Sequence, residues 1–266
     1  MTQPAGIWNF PGVRVAALAT LFFLYLPIAT LIIMSLNSGD LLTVWSGLGL
    51  RWYRDVLGNS DIQRAIWNSL LIATSATAIA TAVATSAALA LARKPFGGQR
   101  QLELLLGLPL IVPEIVAGIA ILLFFVLIGV RLGIVSIILA HTMLAIPFAL
   151  LPIRARLEGL DPSLLEAAAD LYADPWRSFT RITFPLIWPG VAAGAMLAFI
   201  ASLGDFIISF FVAGPGATTL PIYIFGMIRM GITPNVNAIA TLLILVSIAF
   251  LTVSYLLGRR SAAGRA

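Results

Sequence analysis

Leu157-Glu158-Gly159-Leu160-Asp161-Pro162-Ser163-Leu164-Leu165-Glu166-Ala167-Ala168-Ala169-Asp170, running on to Ile182-Thr183-Phe184-Pro185, is a polar interval set between long apolar runs. Its punctuation is helical. Ser163 with Glu166 three residues later has the form of a capping box, and Asp161-Pro162 just upstream sets the entry. Asp174-Pro175 marks a second helix start, and Pro185 reads as the end of that helix. The spacing predicts two short helices, about Ser163–Tyr172 and Pro175–Phe184, joined by a tight bend. Glu166 and Asp170 lie at i,i+4, a mildly unfavourable like-charge pair, while Leu164, Ala168 and Leu171 occupy the other side. That form suits an element that protrudes and docks into another protein. It equally suits an interfacial loop whose acids are balanced by Arg177 and Arg181, and local physics leaves both readings open.

Outward from this stretch the chain reads as membrane. Of 266 residues, 60% are hydrophobic and 10% charged, and the mean hydropathy is +1.03; soluble domains carry about 25% charged residues. The apolar runs are long rather than alternating, which argues against a β-barrel and for an all-α polytopic protein. Six spans can be drawn, Val13–Leu36, Ala65–Ala92, Leu102–Val130, Leu132–Leu151, Leu186–Val212 and Ile232–Leu257, within one transmembrane domain covering 1–266. Each meets the requirement of about 20 residues for a helix crossing hydrocarbon. The first run is too long for a signal-peptide core, and Ser35-Leu36-Asn37 is no small-x-small cleavage site, so it is kept as a span. The net charge of +5 sits in the loops and is no sign of nucleic-acid binding.

Basic residues set the orientation. With the N-terminus inside, the inner segments hold Arg14, Arg93, Lys94, Arg100, Arg154, Arg156, Arg177, Arg181, Arg259, Arg260 and Arg265. The outer segments hold the smaller set Arg51, Arg54, Arg64, Arg131 and Arg229. The positive-inside rule then puts both termini, and the 157–185 stretch, in the cytosol. The outer segment 37–61 carries Trp45, Trp52 and Tyr53; Leu50-Arg51-Trp52-Tyr53 reads as a short interfacial helix, with Trp52 as a headgroup anchor. Ala, Thr and Ser fill span two from Ala73 to Ala90, and Gly190-Val191-Ala192-Ala193-Gly194 repeats the small-residue pattern in span five, so both can approach a neighbour closely.

Three intramembrane residues stand out. In Leu108-Pro109-Leu110-Ile111-Val112-Pro113-Glu114 an acid follows two prolines. Counted along one helix from Leu102, Glu114 lies about 18 Å in, near mid-bilayer. A charge there costs about 2.5–3.5 kcal/mol unless it faces protein or water, so Glu114 is read as facing an aqueous path, against the alternative of a hydrogen-bonded structural acid. Asp205, in Ser202-Leu203-Gly204-Asp205, falls towards the outer side. His141, beside Thr142 in span four, is more often a satisfied packing residue than a proton relay. A path lined by acids and aromatics favours a cationic cargo.

The residues Glu166-Ala167-Ala168, followed by Ile182-Thr183-Phe184-Pro185, resemble the EAA loop of the permease subunits of binding-protein-dependent ABC importers. The family pattern has Gly at the place of Tyr172 and Leu at the place of Phe184. Phe211-Val212-Ala213-Gly214-Pro215, Leu220-Pro221 and Asn235-Val236-Asn237-Ala238-Ile239-Ala240-Thr241 are similar to the second permease subunit of the spermidine/putrescine importers, as are Ile111-Val112-Pro113-Glu114-Ile115-Val116 and Ala140-His141-Thr142 with Pro147-Phe148. That subunit often has paired acids where this chain has Gly204-Asp205.

The resemblance implies a type I ABC importer permease fold with a cytosolic coupling helix seated on an ATPase. It makes Ser163, Glu166, Ala167, Ala168, Asp170, Tyr172 and Pro185 the coupling set, and Glu114, Asp205 and His141 the substrate path. It implies a cytosolic ATPase dimer that carries the ATP and Mg, a second homologous permease forming a heterodimer, and a periplasmic solute-binding protein. The setting is the bilayer of a bacterial inner membrane, and the cargo a polyamine or another small organic solute.

The chemistry the chain lacks agrees. No G-x-x-x-x-G-K-[ST] stretch occurs, and Lys94, its lysine, precedes Pro95. With no Cys and one His, thiolate and multi-His metal sites are excluded, and no Ser/His/Asp arrangement is suggested. A stand-alone secondary transporter using Glu114 and His141 is the rival reading; such folds show internal repeats, and none is convincing here.

Overall fold

A computed structural model of the chain describes residues 11–40, 44–92, 96–161, 163–230 and 234–263. Of the positions used above, Arg93, Lys94, Pro95, Pro162, Ile232 and Arg265 lie outside these residues. Among the described residues the chain is helical with no strand, one isolated bridge pairing Asn37 with Leu48. It divides into two compact units, Met1–Ser60 with Ile224–Leu245, and Asp61–Tyr223 with Val246–Ala266.

The first unit contains α1 (Pro11–Ser35) and α2 (Arg51–Gly58). The α1 span exposes its apolar side chains all round, Phe22, Phe23 and Leu24 among them, as a lipid-facing helix does. The loop after it is tied by Asn37, whose amide donates to the Val44 carbonyl (2.7 Å) and accepts from the Ser46 N–H (2.8 Å). The Ser35 and Tyr53 hydroxyls meet at 2.6 Å, joining the end of α1 to α2. The short helix expected around Leu50–Tyr53 is therefore present. Trp52, however, is buried at 7% exposure and is not a headgroup anchor; a side chain on the inward stripe of an amphipathic helix packs with the protein, as Val56 four residues on also does.

The second unit is built on small residues. In α3 (Ser60–Leu91), Ala73, Ala76, Ala80, Ala84 and Ala88 are buried at a 3–4-residue spacing. Ala80, Ala84 and Ala88 share a core with Ala145, Ala149 and Ile153 of α6 (Ile134–Glu158), and with Ile187, Val191 and Ala198 of α9 (Phe184–Gly204). Gly194 lets the backbones of α6 and α9 touch: a Cβ there would stand 2.5 Å from the Ala149 carbonyl oxygen. The Gly190/Gly194 pair thus serves a contact within this chain. A second core joins Ala117, Ile121 and Phe125 of α5 (Glu114–Leu127) to Ile208 and Val212 of α10 (Ile207–Val212) and to Ile137 and Ala140 of α6. Asn68 donates to the Gly216 and Thr218 carbonyls, and Ser69 accepts from the Leu220 N–H, so α3 holds the Gly/Pro turn after α10. The chain continues through the short apolar helix α11 (Leu220–Met230) and α12 (Pro234–Ala263).

Among the described residues four helices are long and apolar enough to span, Gly12–Ser35, Ser60–Leu91, Ile134–Glu158 and Pro175–Gly204, and a bent pair makes a fifth if it is counted as one span. The sixth expected run lies in α12, whose apolar stretch Pro234–Ala249 is shorter than a span among the described residues. Three expectations are corrected. The single span Leu102–Val130 is α4 (Gln99–Gly107), a 3-10 turn Leu108–Leu110 and α5, with 110° between the segments Gln99–Leu110 and Glu114–Leu127. Proline has no N–H to donate and its ring clashes with the preceding turn, so Pro109 and Pro113 break the helix. The 18 Å depth given to Glu114 assumed one straight helix and no longer holds. The span Leu186–Val212 is also interrupted, at Asp205-Phe206 between α9 and α10. Pro185 does not stop a helix: Pro175–Gly204 runs on, with a π turn at Phe179–Thr183 in which the Phe184 N–H reaches back to the Phe179 carbonyl. The widened turn makes room ahead of the proline, which sits in the first turn of α9, where a missing N–H costs nothing.

Candidate functional site

Two places carry functional geometry, both in the second unit. The first is the cytosol-expected bend. The opening helix, α7, runs Ser163–Asp170. Its cap is not the Ser163/Glu166 box. The Asp161 carboxylate accepts from the Ser163 N–H at 2.9 Å, and this bond, with a second from the Ser163 side chain, holds the Asp161 carboxyl below its usual range. An aspartate two residues before a free N–H can cap it in place of the serine that carries it. Glu166, Ala167 and Asp170 are exposed while Ala168 is buried. The helix closes through the Ala173 N–H bonding to the Ala168 carbonyl at 3.0 Å, six residues spanned, with Tyr172 at φ 53. This is a Schellman ending, whose left-handed position normally takes glycine. The Gly of the resembling motif therefore has a backbone reason, and Tyr172 holds the same turn at a cost of about 1–2 kcal/mol.

The second helix starts as expected. Asp174 accepts from the Arg177 N–H at 2.9 Å and Pro175 occupies the first turn of α8 (Pro175–Ser178). Two arginines tie the surrounding elements: Arg156 donates to the Leu186 carbonyl (3.0 Å), joining α6 to α9, and Arg154 bridges Glu158 (2.8 Å) and Glu103 of α4 (3.4 Å).

The second place is a cavity of about 710 Å³ at the meeting of the two helix breaks. Its lining includes Glu114, His141 and Asp205, with Phe148 and Phe206, and among the described residues no lysine or arginine. Three residues far apart in sequence thus share one cavity, because the α4/α5 break, the middle of α6 and the α9/α10 break converge there. Glu114 is exposed at the first turn of α5, where the helix dipole favours an acid.

Asp205 and His141 are engaged with each other. The Asp205 carboxylate accepts from the Ser209 N–H (2.8 Å) and the Ile208 N–H (3.4 Å), capping α10, and its Oδ2 lies 3.1 Å from His141 Nε2. A carboxylate only accepts, so Nε2 carries the hydrogen, and the Ser209 hydroxyl at 2.9 Å shares it. Nδ1 meets the Ser202 hydroxyl at 2.7 Å. His141 is 2% exposed with both ring nitrogens partnered. Ser209 was missed from sequence; its place four residues after Asp205, one helical turn, is the signal that could have found it.

These features define a helical protein with several helices long and apolar enough to cross a membrane and a polar bend between two of them. Residues 98–264 match the family described as binding-protein-dependent transport system inner membrane component. The chain is 39% identical over 248 residues to the putrescine transport system permease protein PotI of Escherichia coli K12, covering 89% of this chain and 88% of that one. It is 36% identical over 242 residues to the spermidine/putrescine transport system permease protein PotC of the same strain, covering 91% and 92%. Its fold is similar to a bacterial ABC transporter involved in the import of the acidic polysaccharide alginate, with TM-score 0.75, 17% identity, and 95% and 96% of the two chains covered. The chain belongs to the binding-protein-dependent transport system inner membrane components, and is a transport subunit, the permease of an ABC importer.

Proposed function

We propose that this permease forms half of the path for a polyamine such as putrescine or spermidine, with Glu114 presenting the principal carboxylate and the Asp205–His141 pair holding a second charge behind it. The observation that carries the reading is the convergence of Glu114 and Asp205 on one cavity that has aromatic rings and, among the described residues, no lysine or arginine. Ammonium groups are attracted by carboxylates and by ring faces, and an anionic cargo would meet only repulsion there. This matters because a relative named for another cargo also matches: the molybdenum transport system permease protein ModB of Escherichia coli K12 is 37% identical over 183 residues, 63% of this chain. The names of the relatives that match over about nine-tenths of the chain favour the amine.

The whole chain acts as one permease domain with both termini cytosolic. The bend of α7 and α8 docks on a cytosolic ATPase dimer, which alone holds ATP and Mg and hydrolyses it; the acids Glu166 and Asp170 face that partner. A second homologous permease completes a heterodimer, and a periplasmic solute-binding protein delivers the cargo to the outer mouth. ATPase closure moves α7 and α8, and through the unbroken run Pro175–Gly204 the force reaches the break at Asp205 that borders the cavity.

The test is accumulation of radiolabelled putrescine and spermidine by the reconstituted complex. Glu114→Gln is expected to lower polyamine uptake about tenfold, one lost desolvated charge contact, with ATPase docking unchanged; loss of docking instead would make Glu114 structural. Glu166→Lys is expected to weaken ATPase retention about tenfold or more by reversing a charge at the contact, leaving the membrane bundle intact. Uphill uptake by the purified chain without an ATPase would overturn the whole reading.

A further inference from the structure

Tyr172 is 97% exposed, and it holds a left-handed turn that glycine would hold without strain. Its ring is too exposed for packing within this chain to offset that strain. Beside it Leu171 is 81% exposed and Trp176 70%. Exposed apolar side chains on the membrane spans face lipid and need no further cause; three within six positions of a polar loop do. The same loop carries Glu166 and Asp170, which anionic headgroups would repel and a basic protein surface would attract, while Asp174 is paired with Arg177 at 3.2 Å. Trp176 is also the first of a run of touching rings, Trp176 to Phe179 at 5.8 Å, Phe179 to Phe184 at 5.7 Å and Phe184 to Trp188 at 5.7 Å between centroids. These contacts lead from Trp176 across the π turn into α9.

We propose that Tyr172, with Leu171 and Trp176, is an aromatic knob that enters an apolar pocket rimmed by basic residues on the ATPase, and that Tyr172 determines which ATPase this permease accepts. The inference rests on the reading that the bend docks on that ATPase. Strain is retained because the partner's pocket repays it on docking, and a permease with glycine at this position presents no such knob. A rigid, amphipathic tyrosine ring at the centre of a contact is the kind of side chain that dominates an interface.

The experiment measures binding of the purified ATPase to the assembled permease in nanodiscs. Tyr172→Gly, which relieves the turn, and Tyr172→Asn, which tolerates it, are each expected to weaken binding about tenfold or more, while Tyr172→Phe stays within about twofold. Unchanged binding by Tyr172→Gly overturns the proposal. So does a loss that disappears when anionic lipid is omitted from the nanodiscs, since the ring would then be a membrane anchor. Glu166→Lys run in parallel separates the two ideas: if it also binds normally the docking reading itself fails, and if it alone loses binding only the knob does. Thermal unfolding of the permease without ATPase guards against a folding defect. A midpoint for Tyr172→Gly at or above that of the parent is expected, and a lower one would assign the ring a role inside this chain and overturn the proposal.

Discussion

Gly194→Val is expected to destabilise the permease by about 3 kcal/mol or more, enough to leave little folded protein in detergent extracts. The atoms that a Cβ at 194 would meet are backbone, the Ala149 carbonyl oxygen at 2.5 Å and its Cα at 3.1 Å, so no side-chain rotation relieves the overlap. The helices α6 and α9 would have to separate. Their shared core is made of alanines and a few branched residues, among them Ala145, Ala149, Ile153, Ile187 and Ala198, whose contacts depend on the short interhelical distance. In lipid there is no hydrophobic gain from keeping two apolar helices together, so packing lost on separation is not replaced by any other term. Gly194→Ala already adds the offending carbon and is expected to fall between parent and valine. Gly107→Ala is the control, since a Cβ there meets nothing within 4 Å. The measurement is the folded fraction by size-exclusion chromatography after graded heating. A Gly194→Val protein that elutes and unfolds like the parent would show that α6 and α9 are not held in backbone contact.

How far this arrangement could be read from the chain follows from what hydropathy senses. Apolar runs of about 20 residues report that a helix crosses the membrane, and the first, second, fourth and fifth runs became helices of that kind. Hydropathy averages over a window and is blind to backbone direction, so the 110° turn at Ile111–Pro113 and the interruption at Asp205-Phe206 passed unseen, although both lie in apolar surroundings. Pro109 and Pro113 were visible as a defect; what they did to the path of the chain was not, because a proline kink and a proline break have the same letters. Pro185 shows the converse. It reads as a stop, yet a π turn one step earlier absorbs it, and a π turn has no sequence signature.

The bend was the most legible part, because caps are local: Asp174-Pro175 opened a helix as written. The difference at Ser163 is a choice between two cap residues two positions apart, Asp161 and Ser163, each able to accept from the turn. The convergence of Glu114, His141 and Asp205 could be named residue by residue but not assembled, since it depends on three tertiary crossings that no spacing along one helix encodes.

Asp205→Ala is expected to cost about 2–4 kcal/mol, because one substitution removes the cap of α10 and strands the buried His141. The carboxylate accepts from the Ile208 and Ser209 N–H groups and from His141 Nε2 while only 11% of the side chain is exposed, so water replaces few of these bonds when it is lost. Asp205→Asn is the informative partner. Asparagine caps helices nearly as well as aspartate, and its oxygen can keep a bond to the Ser209 N–H or to His141, so its stability is expected to stay within about 1 kcal/mol of the parent. It nevertheless removes the negative charge from the cavity wall. Polyamine uptake by Asp205→Asn therefore isolates electrostatics from folding: a fall with normal unfolding behaviour makes the charge part of the path, and normal uptake makes Asp205 a structural clamp on the α9/α10 break. The pairing with His141 is tested by a double-mutant cycle. Because Asp205→Ala leaves His141 with one bond fewer and His141→Ala leaves Asp205 likewise, the double variant is expected to cost less than the two singles together, by about 1–2 kcal/mol. Strict additivity would mean that the 3.1 Å contact contributes nothing in the membrane, and the cap alone would then account for the cost of losing Asp205.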